Sequence, residues 1–196
     1  MAAINLLLAD DRDDPSELEE RVDEALAGLL AADGPNLAPA GRRQTDASLV
    51  EMAWVDDEDP RNHVRLMVDS DMPARWLAVD VPDEQVREAV LSVLREELPV
   101  LSYGDLLQQA RAWSRGALAR LALTHDPRLQ QDLHGLLTAA LSSEDPARRE
   151  DAVMAAHLAG AKAHADLLKE ALARETDDGV RAMLEHVVQT LEGGPP

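Results

Sequence analysis

The densest group of chemically active side chains in this sequence is a run of four carboxylates, Asp56, Asp57, Glu58 and Asp59. Clustered carboxylates can bind a divalent cation or transfer protons in acid–base catalysis. This run lacks the glycine-punctuated pattern of a calcium loop, and no second acidic motif accompanies it. It lies between two predicted strands. The pattern therefore favours a solvated hairpin tip, with contact to a cationic protein as the functional alternative.

The histidines and cysteines predict no further chemistry. The six histidines are scattered, and His157 and His164 are separated by a helix break at Gly160. No His-Glu-x-x-His run is present, and no serine or histidine has the setting of a nucleophile. The absence of cysteine removes disulfides, thiolate nucleophiles and thiolate metal ligands. The sequence therefore predicts no catalytic residue, no metal site and no cofactor.

Three tryptophans are the main large anchors in a chain that has no phenylalanine. Trp54 is expected to pack on the buried face of its strand. Trp76 shares a more polar strand face with Asp80, so it could lie at a domain junction or in a binding patch. Trp113 is flanked by arginines and could mark the start of the helical region. Trp76 and Trp113 join residues 56–59 as candidate partner-binding residues, with core packing as the alternative role.

Charge restricts the class of partner. The net charge is −19, and the acid is concentrated in residues 1–100, which hold 24 acidic and 9 basic residues, a net −15. Residues 101–196 hold 14 acidic and 10 basic residues, a net −4. Phosphate backbones and anionic lipid repel such a chain, which argues against nucleic-acid and membrane partners. The acid serves solubility on one interpretation and attracts a basic protein on the other.

Hydropathy favours a cytoplasmic location. Residues 1–8 are apolar but too short for a signal peptide, and they lack its cationic start. No stretch approaches the ~20 uninterrupted apolar residues of a membrane span.

The first half of the chain predicts an α+β domain over residues 1–98. Alternating or continuous apolar residues indicate strands at 4–9, 49–55, 63–68 and 76–81, the last three forming an antiparallel meander. Helix starts follow at Asp14-Pro15 and at Pro82-Asp83, and both helices carry a buried stripe. Glycines and prolines over 32–47 predict a flexible linker there.

The second half, residues 99–196, has helical periodicity throughout. Breaks rich in Asp, Pro and Gly separate predicted helices at 103–123, 128–142, 147–159, 162–175 and 179–192. The predicted fold is thus α+β: a small antiparallel sheet with covering helices, followed by an all-α stack of helix pairs.

An internal repeat accompanies these helices. The equivalent positions, 32 residues apart, are Asp145, Arg149, Ala152, Ala155 and Ala156 in one helix and Asp177, Arg181, Leu184, Val187 and Val188 in the other. This half of the chain resembles the HEAT repeat family, in its short bacterial form. The resemblance implies stacked helix pairs and a scaffolding or protein-binding role more often than catalysis.

The function that these observations favour is a non-enzymatic protein-binding module, an adaptor or an immunity-like neutraliser of a basic protein. One alternative is an enzyme or small-molecule sensor with a pocket between the sheet and its helices. The other is a chaperone-like escort of a secreted protein.

Overall fold

The computed structural model describes residues 3–9, 14–31, 34–70, 74–126, 128–160 and 162–193. The protein has the predicted α+β fold, and it divides into two compact units, residues 1–102 and 103–196. In the described residues, a five-stranded sheet and two helices make the first unit, and six helices make the second.

The sheet of the first unit is antiparallel throughout. Its strands are β1 (Ile4–Leu7), β2 (Leu37–Gln44), β3 (Leu49–Asp56), β4 (His63–Asp69) and β5 (Ala74–Asp80), in the spatial order β1-β5-β4-β3-β2. Short polar connections join β3, β4 and β5, and such connections place consecutive strands side by side. The predicted meander is confirmed. Leu8 extends the first strand through an isolated bridge to Val100.

Strand β2 corrects the prediction of a flexible linker over 32–47. Leu37–Gln44 pairs with β3, and the register shifts between Pro39 and Gly41. Proline lacks a backbone N–H, and a strand at the edge of a sheet tolerates this because one side of its ladder faces outward. Gly41 has φ 131°, a conformation that side-chain-bearing residues rarely adopt. Two of the residues that predicted a linker, Pro39 and Gly41, therefore lie in a bulged edge strand, whereas Gly34 and Pro35 precede it. Residues 32 and 33 of the predicted linker lie outside the described residues.

One face of the sheet packs against α1 (Pro15–Ala31) and α2 (Glu84–Glu97). The predicted stripe of α1 is fully buried: Leu18, Val22, Ala25, Leu26 and Leu29. It meets the alternating strand residues Met52, Trp54, Val64, Leu66, Leu77 and Val79. Burying these side chains contributes about 25 cal/mol for each Å² of apolar surface removed from water, which fixes both helices on this face.

The second unit is a stack of helix pairs. Its helices are α3 (Tyr103–Arg111), α4 (Ala117–Leu123), α5 (Leu129–Leu141), α6 (Pro146–Leu158), α7 (Ala165–Arg174) and α8 (Asp178–Gly193). Helix α3 packs on α4, α5 on α6, and α7 on α8; α6 also packs on α4 and on α8. Small buried residues of α6, Ala152, Ala155 and Ala156, allow these close approaches.

The prediction of one helix over 103–123 is wrong, because the chain turns between α3 and α4. Trp113 has φ 59°, and the amides of Trp113 and Ser114 donate to the carbonyls of Ala110 and Gln109. This is the bonding pattern of a Schellman motif, in which the left-handed residue is usually glycine. Gly116 follows with φ 68° and precedes the first residue of α4.

Equivalent polar residues make equivalent contacts in the two repeat units. Asp145 accepts the backbone N–H of Ala147 at the start of α6, and Asp177 accepts that of Gly179 at the start of α8. Arg149 donates to a carbonyl six residues upstream, that of Ser143 (2.9 Å). Arg181 donates to the carbonyl of Glu175, also six residues upstream. The Asp and Arg of each repeat unit thus fix the loop that leads into its helix.

Candidate partner-binding surfaces

The acidic run 56–59 forms the tip of the β3–β4 hairpin, as predicted, but Asp56 is buried. One oxygen of its carboxylate accepts Asn62 Nδ2 at 2.9 Å, and the other accepts the backbone N–H of Glu58 at 3.1 Å. Asp56 and Asn62 are 5% and 9% exposed. The Asp56 side chain therefore holds the hairpin loop together through hydrogen bonds. The expectation that it belongs to a solvated acidic cluster is corrected.

The carboxylate of Asp59 is also paired within the hairpin, with the side chain of Arg61. The guanidinium of Arg61 donates to both carboxylate oxygens, with Nε–Oδ1 at 2.9 Å and Nη2–Oδ2 at 2.7 Å. The Arg61 side chain lowers the pKa of Asp59 to about 2. Asp57 and Glu58 are exposed, and Asp57 accepts Asn36 Nδ2 at 3.1 Å from the segment before β2. The hairpin tip thus presents two outward carboxylates, Asp57 and Glu58, where the sequence predicted four.

The structure does not bring Trp76 to the hairpin tip. Trp76 pairs with Met67, four residues along β4 from His63, a separation of about 13 Å at ~3.3 Å per residue. It is 9% exposed and lies on the sheet face opposite α1 and α2. This burial leaves little of its ring for a partner.

Trp113 is half-buried in the turn between α3 and α4. The guanidinium carbon of Arg148 lies 5.2 Å from the centre of its ring, within the range of a cation–π contact. Trp113 therefore packs against the start of α6 and keeps part of its surface exposed.

A groove that the sequence did not predict opens between α1 and β2. It has a volume of about 350 Å³, and its lining residues are Ser16, Glu19, Glu20, Asp23, Pro39 and Trp54. Trp54 forms the floor and is 1% exposed. Its indole Nε1–H donates to Asp23 Oδ1 at 3.1 Å, which holds that carboxylate at the groove. Three carboxylates thus line the groove, and the ring of Trp54 is buried beneath it.

Part of this groove has a signal in the sequence. Ser16, Glu19, Glu20 and Asp23 recur at positions i, i+3, i+4 and i+7, so they share one face of α1. If residues 32–47 are a linker, the pattern predicts that this face of α1 is an ordinary solvated helix surface. Pro39, on β2, forms the opposite wall of the groove. The groove can therefore be recognised only when β2 is known to be a strand.

Within the described ranges, no group of three or more His, Cys, Asp or Glu side chains is placed to hold a metal ion. Of the helices in that part of the chain, none is long and apolar enough to cross a membrane. The apolar side chains that α1 and α2 bury against the sheet form one core cluster with the alternating strand residues.

Comparisons with protein-family models, with curated proteins and with solved structures found no match.

Proposed function

We propose that this protein is a non-enzymatic protein-binding module, cytoplasmic, that recognises a basic protein partner as an adaptor or neutraliser. The observation that carries the proposal is the groove between α1 and β2, which is lined by three carboxylates, Glu19, Glu20 and Asp23. An arginine or lysine side chain of the partner enters this groove. Its charge meets the carboxylates, and its aliphatic stem packs against Pro39.

The charge distribution supports a basic partner over an acidic one. The first hundred residues, which contain the groove, carry a net −15. A field of this sign attracts a cationic protein from a distance and raises the association rate, and salt screens it over a Debye length of ~8 Å at physiological ionic strength.

The helical unit is proposed to be a short HEAT-like stack with a scaffolding role. The support is the repeated use of equivalent residues: Asp145 and Asp177 cap their helices, and Arg149 and Arg181 each bind a carbonyl six residues upstream. In repeat proteins, stacked helix pairs provide extended surfaces for other proteins.

A matched pair of double variants tests the groove. Glu19→Gln/Glu20→Gln removes two groove charges, while Asp23 is kept because it bonds Trp54. Glu96→Gln/Glu97→Gln changes the net charge equally, at two exposed adjacent residues of α2. The probe is a synthetic Gly-Ser-Arg repeat peptide, with a Gly-Ser-Glu peptide as the control ligand, titrated at low and high salt.

The groove variant is expected to bind the arginine peptide at least fivefold more weakly than the Glu96/Glu97 variant, with a smaller salt dependence. Equal loss in the two variants would show that net charge alone attracts the peptide and would contradict the groove as the site. Binding of the acidic peptide in preference to the basic one would reject the proposed class of partner.

A further inference from the structure

Two histidines that are far apart in the sequence meet between successive helix pairs. His134 lies on α5, and His164 ends the 3-10 turn Lys162–His164 that leads into α7. Their Nδ1 atoms are 3.3 Å apart, and their ring centroids are 5.4 Å apart with the planes inclined at 30°. The two residues are 30 positions apart in the sequence, and this spacing does not match any ligand motif.

The separation of the two nitrogens suits a shared metal ion. Zinc binds imidazole nitrogen at about 2.0–2.1 Å and prefers tetrahedral geometry, so two of its nitrogen ligands lie about 3.3–3.4 Å apart. We propose that His134 and His164 bind one zinc ion through their Nδ1 atoms, with water in the remaining positions.

The surroundings of the pair favour ligation. His134 is exposed and His164 is half-buried, so an ion can reach the pair from solvent. The net charge of −19 raises the concentration of cations at the surface.

Two protein ligands make an open and reversible site. Closed structural zinc sites have four protein ligands, and in the described ranges no third histidine, cysteine or carboxylate completes a set with these two. Zinc binding ties α5 to the start of α7 and therefore stabilises the contact between the second and third helix pairs by mass action.

The second histidine pair of the same unit provides the control. The ring centroids of His157 on α6 and His186 on α8 are 6.3 Å apart, and the planes are inclined at 49°. The two variants to compare are His134→Gln/His164→Gln and His157→Gln/His186→Gln, which remove the same number of imidazoles from the same unit. A circular dichroism melt of each variant in chelator checks that it folds.

The experiment is calorimetric titration of the full-length chain with Zn²⁺ in a non-coordinating buffer at pH 7.5. Excess Mg²⁺ occupies the carboxylates, since it prefers oxygen ligands and leaves imidazole free. The wild type and the His157/His186 variant are expected to bind one zinc per chain. The His134/His164 variant is expected to bind it at least tenfold more weakly. Equal affinity in all three chains, or equal loss in both variants, overturns the proposal.

Nitrogen-15 NMR of the wild-type rings gives an independent readout that does not depend on the folding of a variant. Zinc is expected to shift the Nδ1 resonances of His134 and His164 and to change their Nε2 resonances much less. Zinc-induced shifts at Nε2 alone, or at neither ring, overturn the assignment.

Discussion

Arg149 and Glu175 form a doubly bonded ion pair between α6 and the loop that precedes α8. The Nε–Oε2 and Nη2–Oε1 distances are both 2.8 Å, and the side chains of Arg149 and Glu175 are 12% and 4% exposed. Glu175 also accepts the backbone N–H groups of Thr176 and Asp177 at 2.9 Å. One carboxylate therefore satisfies two amides of a loop and one guanidinium from the neighbouring helix pair.

Replacing this carboxylate is expected to destabilise the helical unit. Glu175→Gln leaves Arg149 half-paired in a mostly buried site, and the expected loss in the free energy of unfolding is about 2–4 kcal/mol. Urea unfolding at pH 7, followed by circular dichroism, measures it. Glu170→Gln, at an exposed position of the adjacent α7, is the control and should stay within ~0.5 kcal/mol. Equal stability of the two variants would show that the ion pair contributes nothing net.

The same pair predicts a dependence on pH. Bonds from the Arg149 side chain lower the pKa of Glu175 from 4.5 to about 2. A carboxyl whose pKa is lower in the folded state stabilises the fold above its unfolded value, and this contribution disappears as pH falls through the folded value. The stability difference between wild type and Glu175→Gln is therefore expected to be full at pH 6–7 and to shrink from about pH 4.5 towards 2. Unfolding of both proteins at pH 7, 5, 4 and 3 measures it, and a constant difference would contradict the assignment.

Asp151 is expected to act as the helix cap of α4, although it lies on α6. Its two carboxylate oxygens accept the backbone N–H groups of Leu118 and Ala119, both at 3.1 Å, and Gly116 has no side chain to cap with. Asp151→Ala should cost about 1–2 kcal/mol, the typical value of a lost cap.

Asp151→Asn should cost less than Asp151→Ala, because the amide oxygen still accepts one bond. Burial raises the pKa of Asp151, so the neutral amide also avoids the desolvation cost of the charge. The two variants are compared by urea unfolding, with Glu185→Ala on the exposed face of α8 as the control. A larger loss for asparagine than for alanine would refute the capping role.

In the hairpin 56–62, substitution of the buried Asp56 should destabilise the protein more than substitution of the exposed Asp57 and Glu58. Asp56→Ala removes the partner of the buried Asn62 and is expected to cost about 1–3 kcal/mol. Asp57→Asn/Glu58→Gln changes two exposed charges and should stay within ~0.5 kcal/mol. Thermal melts of the two variants compare them. A stable Asp56→Ala protein would restore the interpretation of the run as a uniformly solvated cluster.

Much of the fold follows from apolar periodicity in the sequence. Leu18, Val22 and Leu26 share a helical face, and Val64 and Leu66 alternate along a strand; these patterns report burial directly. Strand β2 was missed because Pro39 and Gly41 normally interrupt strands, and their tolerance depends on an edge position that topology decides.

The turn between α3 and α4 shows a second limit of the pattern. Trp113 occupies the left-handed position of the Schellman motif, where glycine is the usual signal. The apolar spacing continues through the turn, so the spacing alone predicts one helix.

The sites were less predictable than the fold because they depend on pairs of distant residues. The charge of Asp56 and Asp57 is equally visible in the sequence, but the burial of Asp56 depends on how Asn62 closes the loop. The groove at Glu19 and Asp23 likewise depends on the wall that β2 provides.

The cap that Asp151 supplies to α4 makes two helix pairs interdependent. Because the amides of Leu118 and Ala119 are bonded by a residue of the next pair, opening of α6 should expose them to hydrogen exchange even while α4 remains helical. A gene rearrangement that removed or duplicated the pair formed by α5 and α6 would leave α4 uncapped or leave a second Asp151 without its amides. Adding or removing a helix pair at this junction would therefore leave polar groups without hydrogen bonds, which would not occur in a stack of independent repeat units.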